Sequence, residues 1–196
     1  MRPDLKVVAD LIGRDKRVLD LGCGDGELLV NLHHRQGCDG LGVDVDPDRV
    51  VTAIARGVSI IELDIDEQLD EFTDDSFDVV VLSQTLQATR RPAALLRQMM
   101  RIAGAGVVSV PNFAWWRHRF GLLTRGRMPV SPALPLSWFD TPNIHLSSLT
   151  DLEALITTEC GFTVDRRVLL DADGSPTRVR GPYNLLAAGA AYLIRA

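Results

Sequence analysis

Long apolar runs, paired cysteines and lysine are all scarce in this chain of 196 residues. The longest apolar stretch, Leu185 to Ile194, is too short to cross a bilayer as a helix, so no membrane partner is expected. Cys23, Cys38 and Cys160 form no CxxC pair, which removes both a disulfide framework and a zinc site. No metal is expected, and reduced thiols fit a cytoplasmic protein. The opening residues Met1-Arg2-Pro3-Asp4 lack the apolar core and small-residue cleavage site of a secretory signal. Basic charge is short as well: 21 Lys and Arg against 26 Asp and Glu leave a net charge of -5, with no general attraction to phosphate backbones. Nineteen of the basic residues are arginine, so a single arginine carries little signal. Internal repeats and low-complexity tracts are absent too. With 46% hydrophobic and 24% charged residues, the chain has globular composition and enough length to bury a core without staples.

What the sequence does contain is an alternation. From residue 4 to about 112, short apolar runs alternate with amphipathic stretches, the pattern of parallel strands joined by helices. Strands are predicted at Arg17 to Leu21, Gly40 to Val43, Ser59 to Leu63, Phe77 to Leu82 and Gly106 to Val110. Helices are predicted at Leu5 to Gly13, Gly26 to Arg35, Pro47 to Ala55 and Pro92 to Ala103, with Pro47 and Pro92 in tolerant first turns. Residues 111–147, with three tryptophans and five prolines, break the rhythm and read as an insertion of the kind that carries function or interfaces. A helix from Ser148 to Glu159, ended by Gly161 in the left-handed conformation, leads to a strand from Thr163 to Leu169. A polar loop follows, and a last strand lies within Leu185 to Ile194. The expectation is a single α/β domain over residues 1–196: a mostly parallel seven-stranded sheet, helices on both faces, with five parallel strands extended by a C-terminal pair.

The run Val18-Leu19-Asp20-Leu21-Gly22-Cys23-Gly24-Asp25-Gly26 carries an apolar strand straight into three alternate glycines and a helix. Glycine lets the backbone turn sharply and lie against a ligand. Asp44 ends the second strand about 20 residues on, where a ribose-binding acid belongs in a nucleotide site. A pyrophosphate wants helix amides unopposed by negative charge, yet Asp20 and Asp25 bracket this loop and the spacing is GxGxG. Two carboxylates suit a ligand with positive groups. S-adenosylmethionine, with its ammonium and sulfonium, therefore ranks above NAD or FAD.

The segment resembles the class I S-adenosylmethionine-dependent methyltransferases, whose motif acid-x-Gly-x-Gly-x-Gly is matched by Asp20 to Gly26. The resemblance implies a Rossmann-like fold in which Asp20, Gly22, Cys23, Gly24 and Gly26 line the methionine end of S-adenosylmethionine or S-adenosylhomocysteine. It implies that Asp44, with Val45 beside it, receives the ribose hydroxyls. Asp64 and Ile65 correspond to the adenine contacts. Asp78 and Leu82-Ser83-Gln84-Thr85 correspond to the fourth-strand motif, with Ser83 at the end facing the methyl group. Plainer roles compete: a helix cap for Asp44, although Asp46 is better placed, and a solvated acidic face around Asp64. Cys23 is expected to offer its backbone amide, with an inert thiol.

Later motifs narrow the likeness. Leu82-Ser83-Gln84-Thr85-Leu86-Gln87, Arg90-Arg91-Pro92, Val110-Pro111-Asn112-Phe113, Gly126-Arg127-Met128-Pro129-Val130-Ser131 and Thr141-Pro142-Asn143-Ile144-His145-Leu146 are together similar to the methionine-biosynthesis protein W (MetW) family, over about residues 5 to 170. Residues 171–196 match poorly. The resemblance implies an accessory protein of methionine biosynthesis that acts with homoserine O-acetyltransferase, without a demonstrated methyl acceptor. The alternative is an active methyltransferase on a small metabolite, with RNA less favoured. His145 is the one candidate base, against a structural role in its loop. Arg117, His118, Arg119, Arg125 and Arg127 interleave with Trp115, Trp116 and Phe120, a composition that suits a protein interface better than RNA. Asp140-Thr141-Pro142-Asn143 reads as a turn, with substrate or partner contact as the sharper reading.

Overall fold

The computed structural model, covering residues 1–196, begins with α1 (Pro3–Ile12), β1 (Arg17–Leu21), α2 (Glu27–Gln36), β2 (Asp39–Asp44), α3 (Pro47–Ala55) and β3 (Ser59–Glu62). It continues through β4 (Val79–Ser83), α4 (Pro92–Ile102), β5 (Ala105–Pro111), α5 (Trp116–Arg125) and α6 (Leu149–Ala154) to β6 (Thr163–Leu170), α7 (Tyr183–Leu186) and β7 (Gly189–Arg195). One seven-stranded sheet runs in the order β3-β2-β1-β4-β5-β7-β6. The first five strands are parallel, and β7 lies antiparallel between β5 and β6.

The valine-rich strands are covered on both faces, and their period of two divides the core. Leu19, Val80, Leu82 and Val108 enter one apolar cluster, whereas Val18, Val79, Val81 and Val107 enter the other. Strand order reverses between β1 and β4, so the carboxyl ends of β1, β2, β3 and β4 open a crevice where such sheets bind ligands.

Several boundaries differ from expectation. Phe77 and Asp78 precede β4. Asp78 does not reach the crevice: its carboxylate accepts the Arg17 backbone N–H at 2.8 Å and pairs with its guanidinium at 3.1 Å, at the opposite end of the sheet. Within the insertion, α5 forms where no helix was expected: its apolar residues Trp116, Phe120 and Leu123 face outward, and its only buried residue is His118. Helix α6 ends in a single π turn, Leu155–Glu159, before Gly161 at φ +75°. Glu153 of α6 then ties the C-terminal strands together, accepting hydrogen bonds from Tyr183, Tyr192 and Arg167 at 2.7, 3.0 and 2.7 Å. No helix is long and apolar enough to cross a membrane.

Candidate functional site

The glycine loop is stitched to the end of β2. The N–H groups of Gly22 and Cys23 both donate to Val43 O, at 2.8 and 3.0 Å, and Gly24 N donates to Asp44 Oδ2 at 2.8 Å. Gly22 sits at φ +75°, and a Cβ there would lie 2.7 Å from Thr85, so only glycine lets the loop lie against the β4 end. Two expectations are corrected here. The Cys23 amide is already spent on Val43, so Cys23 offers wall rather than a free donor. Gly26 is not on the crevice wall; it starts α2 in the left-handed conformation and faces Val58, which a Cβ would meet at 2.7 Å.

Asp20 is 2% exposed and its Oδ1 has no hydrogen-bond partner. Burial, and then the charge of Asp44, raise its pKa from 3.8 to about 7. Asp44 is also buried, and its second oxygen accepts Asp46 N at 3.0 Å. The helix cap is Asp46, which takes the N–H of Asp48. Each Asp44 oxygen keeps one further acceptor site, enough for a vicinal diol. Asp25 contributes less than its position suggests, because Arg56 pairs with it at 2.8 Å; the charge bracketing the loop comes from Asp20 and Asp44. Burial first, then Asp20 and Asp44, push the Cys23 thiol up, which disqualifies it as a nucleophile.

Asp64 Oδ1 accepts Asp66 N at 2.9 Å. Its acidic neighbours are engaged rather than merely solvated: Asp66 receives the Arg90 N–H through both oxygens, and Glu67 pairs with the Arg90 side chain. Asp20, Gly22, Cys23, Gly24, Asp44, Val45, Asp64, Ile65 and Ser83 thus line one cavity of about 920 Å³. A second cavity of about 760 Å³ adjoins it, walled by the ends of β5 and β6 and by the insertion. Arg2, Arg49, Gln84 and Pro142 line both. Gln84 holds φ +57°, a strained conformation for a non-glycine residue. Its N–H is fixed on Ser109 O at 2.9 Å, and Ser83 Oγ meets Ser109 Oγ at 3.2 Å. His145 lines neither cavity: its side chain is exposed and its N–H donates to Gln87 O, so it is no base for this site.

A family profile described as methionine biosynthesis protein MetW matches residues 2–194. The chain belongs to the MetW family. The match carries the family through residues 171–194, beyond the limit expected from the motifs. The bifunctional methionine biosynthesis protein MetXA/MetW of Rhodopirellula baltica is 32% identical over 179 residues, covering 87% of this chain, and the chain spans 29% of that protein's length. Among solved structures, a SAM-dependent methyltransferase from Archaeoglobus fulgidus superposes with a TM-score of 0.71 over 98% of this chain and 91% of its own, at 16% identity. The cyclase SpnF superposes at 0.64, with 17% identity over 97% and 79%. The fold is therefore that of the SAM-dependent methyltransferases, and the fold alone does not choose the chemistry.

Several wall residues of this MetW-family site were not singled out by motif. Arg2 and Leu5 arrive from α1, ahead of the glycine loop, and Arg49 arrives from α3, within 4.0 Å of where a Gly24 side chain would stand. Pro142 comes from the insertion, and the turn Thr141-Pro142-Asn143 proves to be cavity wall. Its proline-asparagine chemistry was a visible signal; the arginines had none.

Proposed function

We propose that the chain binds S-adenosylmethionine or S-adenosylhomocysteine in the larger cavity and serves methionine biosynthesis as an accessory to homoserine O-acetyltransferase. The observation that carries the ligand assignment is the pairing of buried Asp20, whose Oδ1 lacks a partner, with Asp44 beside a glycine loop. The residues fit this group. Asp20 offers negative charge to the ammonium and sulfonium, Asp44 keeps two acceptor sites for the ribose diol, and Val45, Leu63 and Ile65 give an apolar wall for a purine ring. When bound, S-adenosylmethionine supplies a methyl group on a positively charged sulfur. The chain's own part is to hold the ligand: the Gly22 backbone leaves room against Thr85, and Gln84, locked on Ser109, sets the border of the second cavity. Family membership and the bifunctional relative support the methionine role and the partner.

Calorimetric titration with both ligands tests the site. Wild type is expected to bind, and Asp44→Ala to lose binding; equal affinity in the two proteins would refute the assignment. Acyltransferase rates that do not change on adding this protein would refute the accessory role.

A second reading, methyl transfer to a small metabolite, is favoured by the cavity adjoining at Gln84, which leaves room for an acceptor beside the ligand. In-line displacement needs positioning more than a base. Labelled cofactor against a metabolite panel, with no labelled product, would remove this reading.

A further inference from the structure

Helix α5 buries almost nothing. Only His118 is buried, held between Asn112 O and Ser131 Oγ, while Trp116, Phe120 and Leu123 are 43%, 61% and 84% exposed. Their spacing of i, i+4, i+7 stacks them in one stripe along the helix. Met128, Leu136, Trp138 and Ile144, in the segment that follows the helix, are also exposed and line the second cavity. So many large apolar side chains left exposed in one segment mark an interaction site.

The charge around the stripe is one-sided. From Pro111 to Phe139 the chain has four arginines and no Asp or Glu, so with a total of -5 the remaining residues carry -9. Arg117, Arg119, Arg125 and Arg127 flank the stripe, and none of them pairs with a carboxylate. Arg117 lies over Trp115 and Trp116 instead.

We infer that this face docks an acidic protein surface bearing an apolar groove, and that the surface belongs to the acyltransferase; the inference rests on the partnership proposed above. Aromatic residues and arginine are the usual anchors of protein interfaces, and the partner supplies the carboxylates this face lacks. Nucleic acid fits less well, because exposed Leu122 and Leu123 add apolar surface that does not stack on bases and the -9 carried by the rest of the chain repels phosphate. The same repulsion opposes an anionic membrane. Because the exposed residues after the helix also line the second cavity, a docked partner closes over its mouth. Ligand and partner are then coupled, each changing the other's affinity by the same factor.

The test is surface plasmon resonance against immobilised homoserine O-acetyltransferase. The analytes are wild type, Phe120→Asp/Leu123→Asp, Arg125→Glu/Arg127→Glu, and Val51→Asp/Ile54→Asp as a control on the exposed face of α3. The stripe variant is expected to bind at least about 100-fold more weakly. The arginine variant should bind about tenfold more weakly with a shallower salt dependence, and the control should bind as wild type does. All keep the wild-type circular dichroism spectrum, since the altered side chains are exposed. Equal binding by stripe variant and wild type would overturn the docking face and leave the partnership standing. No binding by wild type would overturn both. If wild type binds phosphatidylglycerol vesicles or polyuridine through the stripe and ignores the enzyme, the face is a lipid or RNA surface and the inference fails.

Discussion

Replacing Asp20 by asparagine should stabilise the protein at alkaline pH while weakening its ligand. The carboxyl is buried beside Asp44 with one oxygen unpartnered, and folding raises its pKa from 3.8 to about 7. A group whose pKa rises on folding holds its proton more tightly in the native state. Its contribution is therefore complete below about pH 4 and is lost as pH climbs through about 7. A shift from 3.8 to about 7 corresponds to about 4 kcal/mol. Asparagine stays neutral throughout, so its stability advantage should widen by about 2.5 kcal/mol between roughly pH 5 and pH 8. Urea unfolding of both proteins at several pH values measures the gap. An advantage that stays flat with pH would show that Asp20 is not the group titrating. At pH 8 the variant should also bind S-adenosylmethionine about 10- to 100-fold more weakly, the loss of one charge-assisted contact. Unchanged affinity would mean that this carboxylate does not face the ligand's positive charge.

Gly22→Ala adds a side chain 2.7 Å from Thr85 at φ +75°, so melting should show a loss of about 1–3 kcal/mol together with lost ligand binding. Adding Thr85→Ala should restore only part, because the backbone strain remains; full recovery would locate the whole effect in the side-chain contact. Burial raises the Glu153 carboxyl, but hydrogen bonds from Tyr183, Arg167 and Tyr192 outweigh it and hold the group below its usual range. Its stabilisation is thus present at neutral pH and fades as pH falls. Glu153→Gln should cost about 1–3 kcal/mol at pH 7 by urea unfolding, less in acid; a cost that grows in acid would contradict the assignment. Cys23, its thiol pushed up by burial and by Asp20 and Asp44, should resist iodoacetamide at pH 8. Rapid carboxamidomethylation, read by peptide mass mapping, would contradict that.

Much of the fold was legible because it is periodic. Strands covered on both faces need unbroken Val and Leu, and Val79 to Leu82 or Val107 to Val110 can do little else. The site's acids were legible because each sits at or just past the carboxyl end of its strand, where a parallel sheet opens its crevice. Asp78 misled for the same reason in reverse. It borders an apolar run like the others but precedes its strand, and only the register of β4 on β1 shows that it caps the far edge. Helix α5 was illegible because its apolar residues face outward and its single buried residue is a histidine. Gly26 looked like its neighbours in the motif, yet its need for glycine comes from Val58, thirty-two residues away.

Local sequence determined the alternation of elements, the glycine loop, and the carboxylates that make one end of the sheet anionic, since each depends on backbone conformation or on residues adjacent in the chain. Tertiary structure alone decided which groups act together. It consumed the Cys23 amide on Val43, neutralised Asp25 with Arg56, left Asp20 buried beside Asp44, and carried Arg2, Arg49 and Pro142 to the cavity wall. Hydrogen-bond satisfaction, burial and charge neutralisation are pairwise quantities between residues distant in the chain, and a linear sequence does not contain those distances.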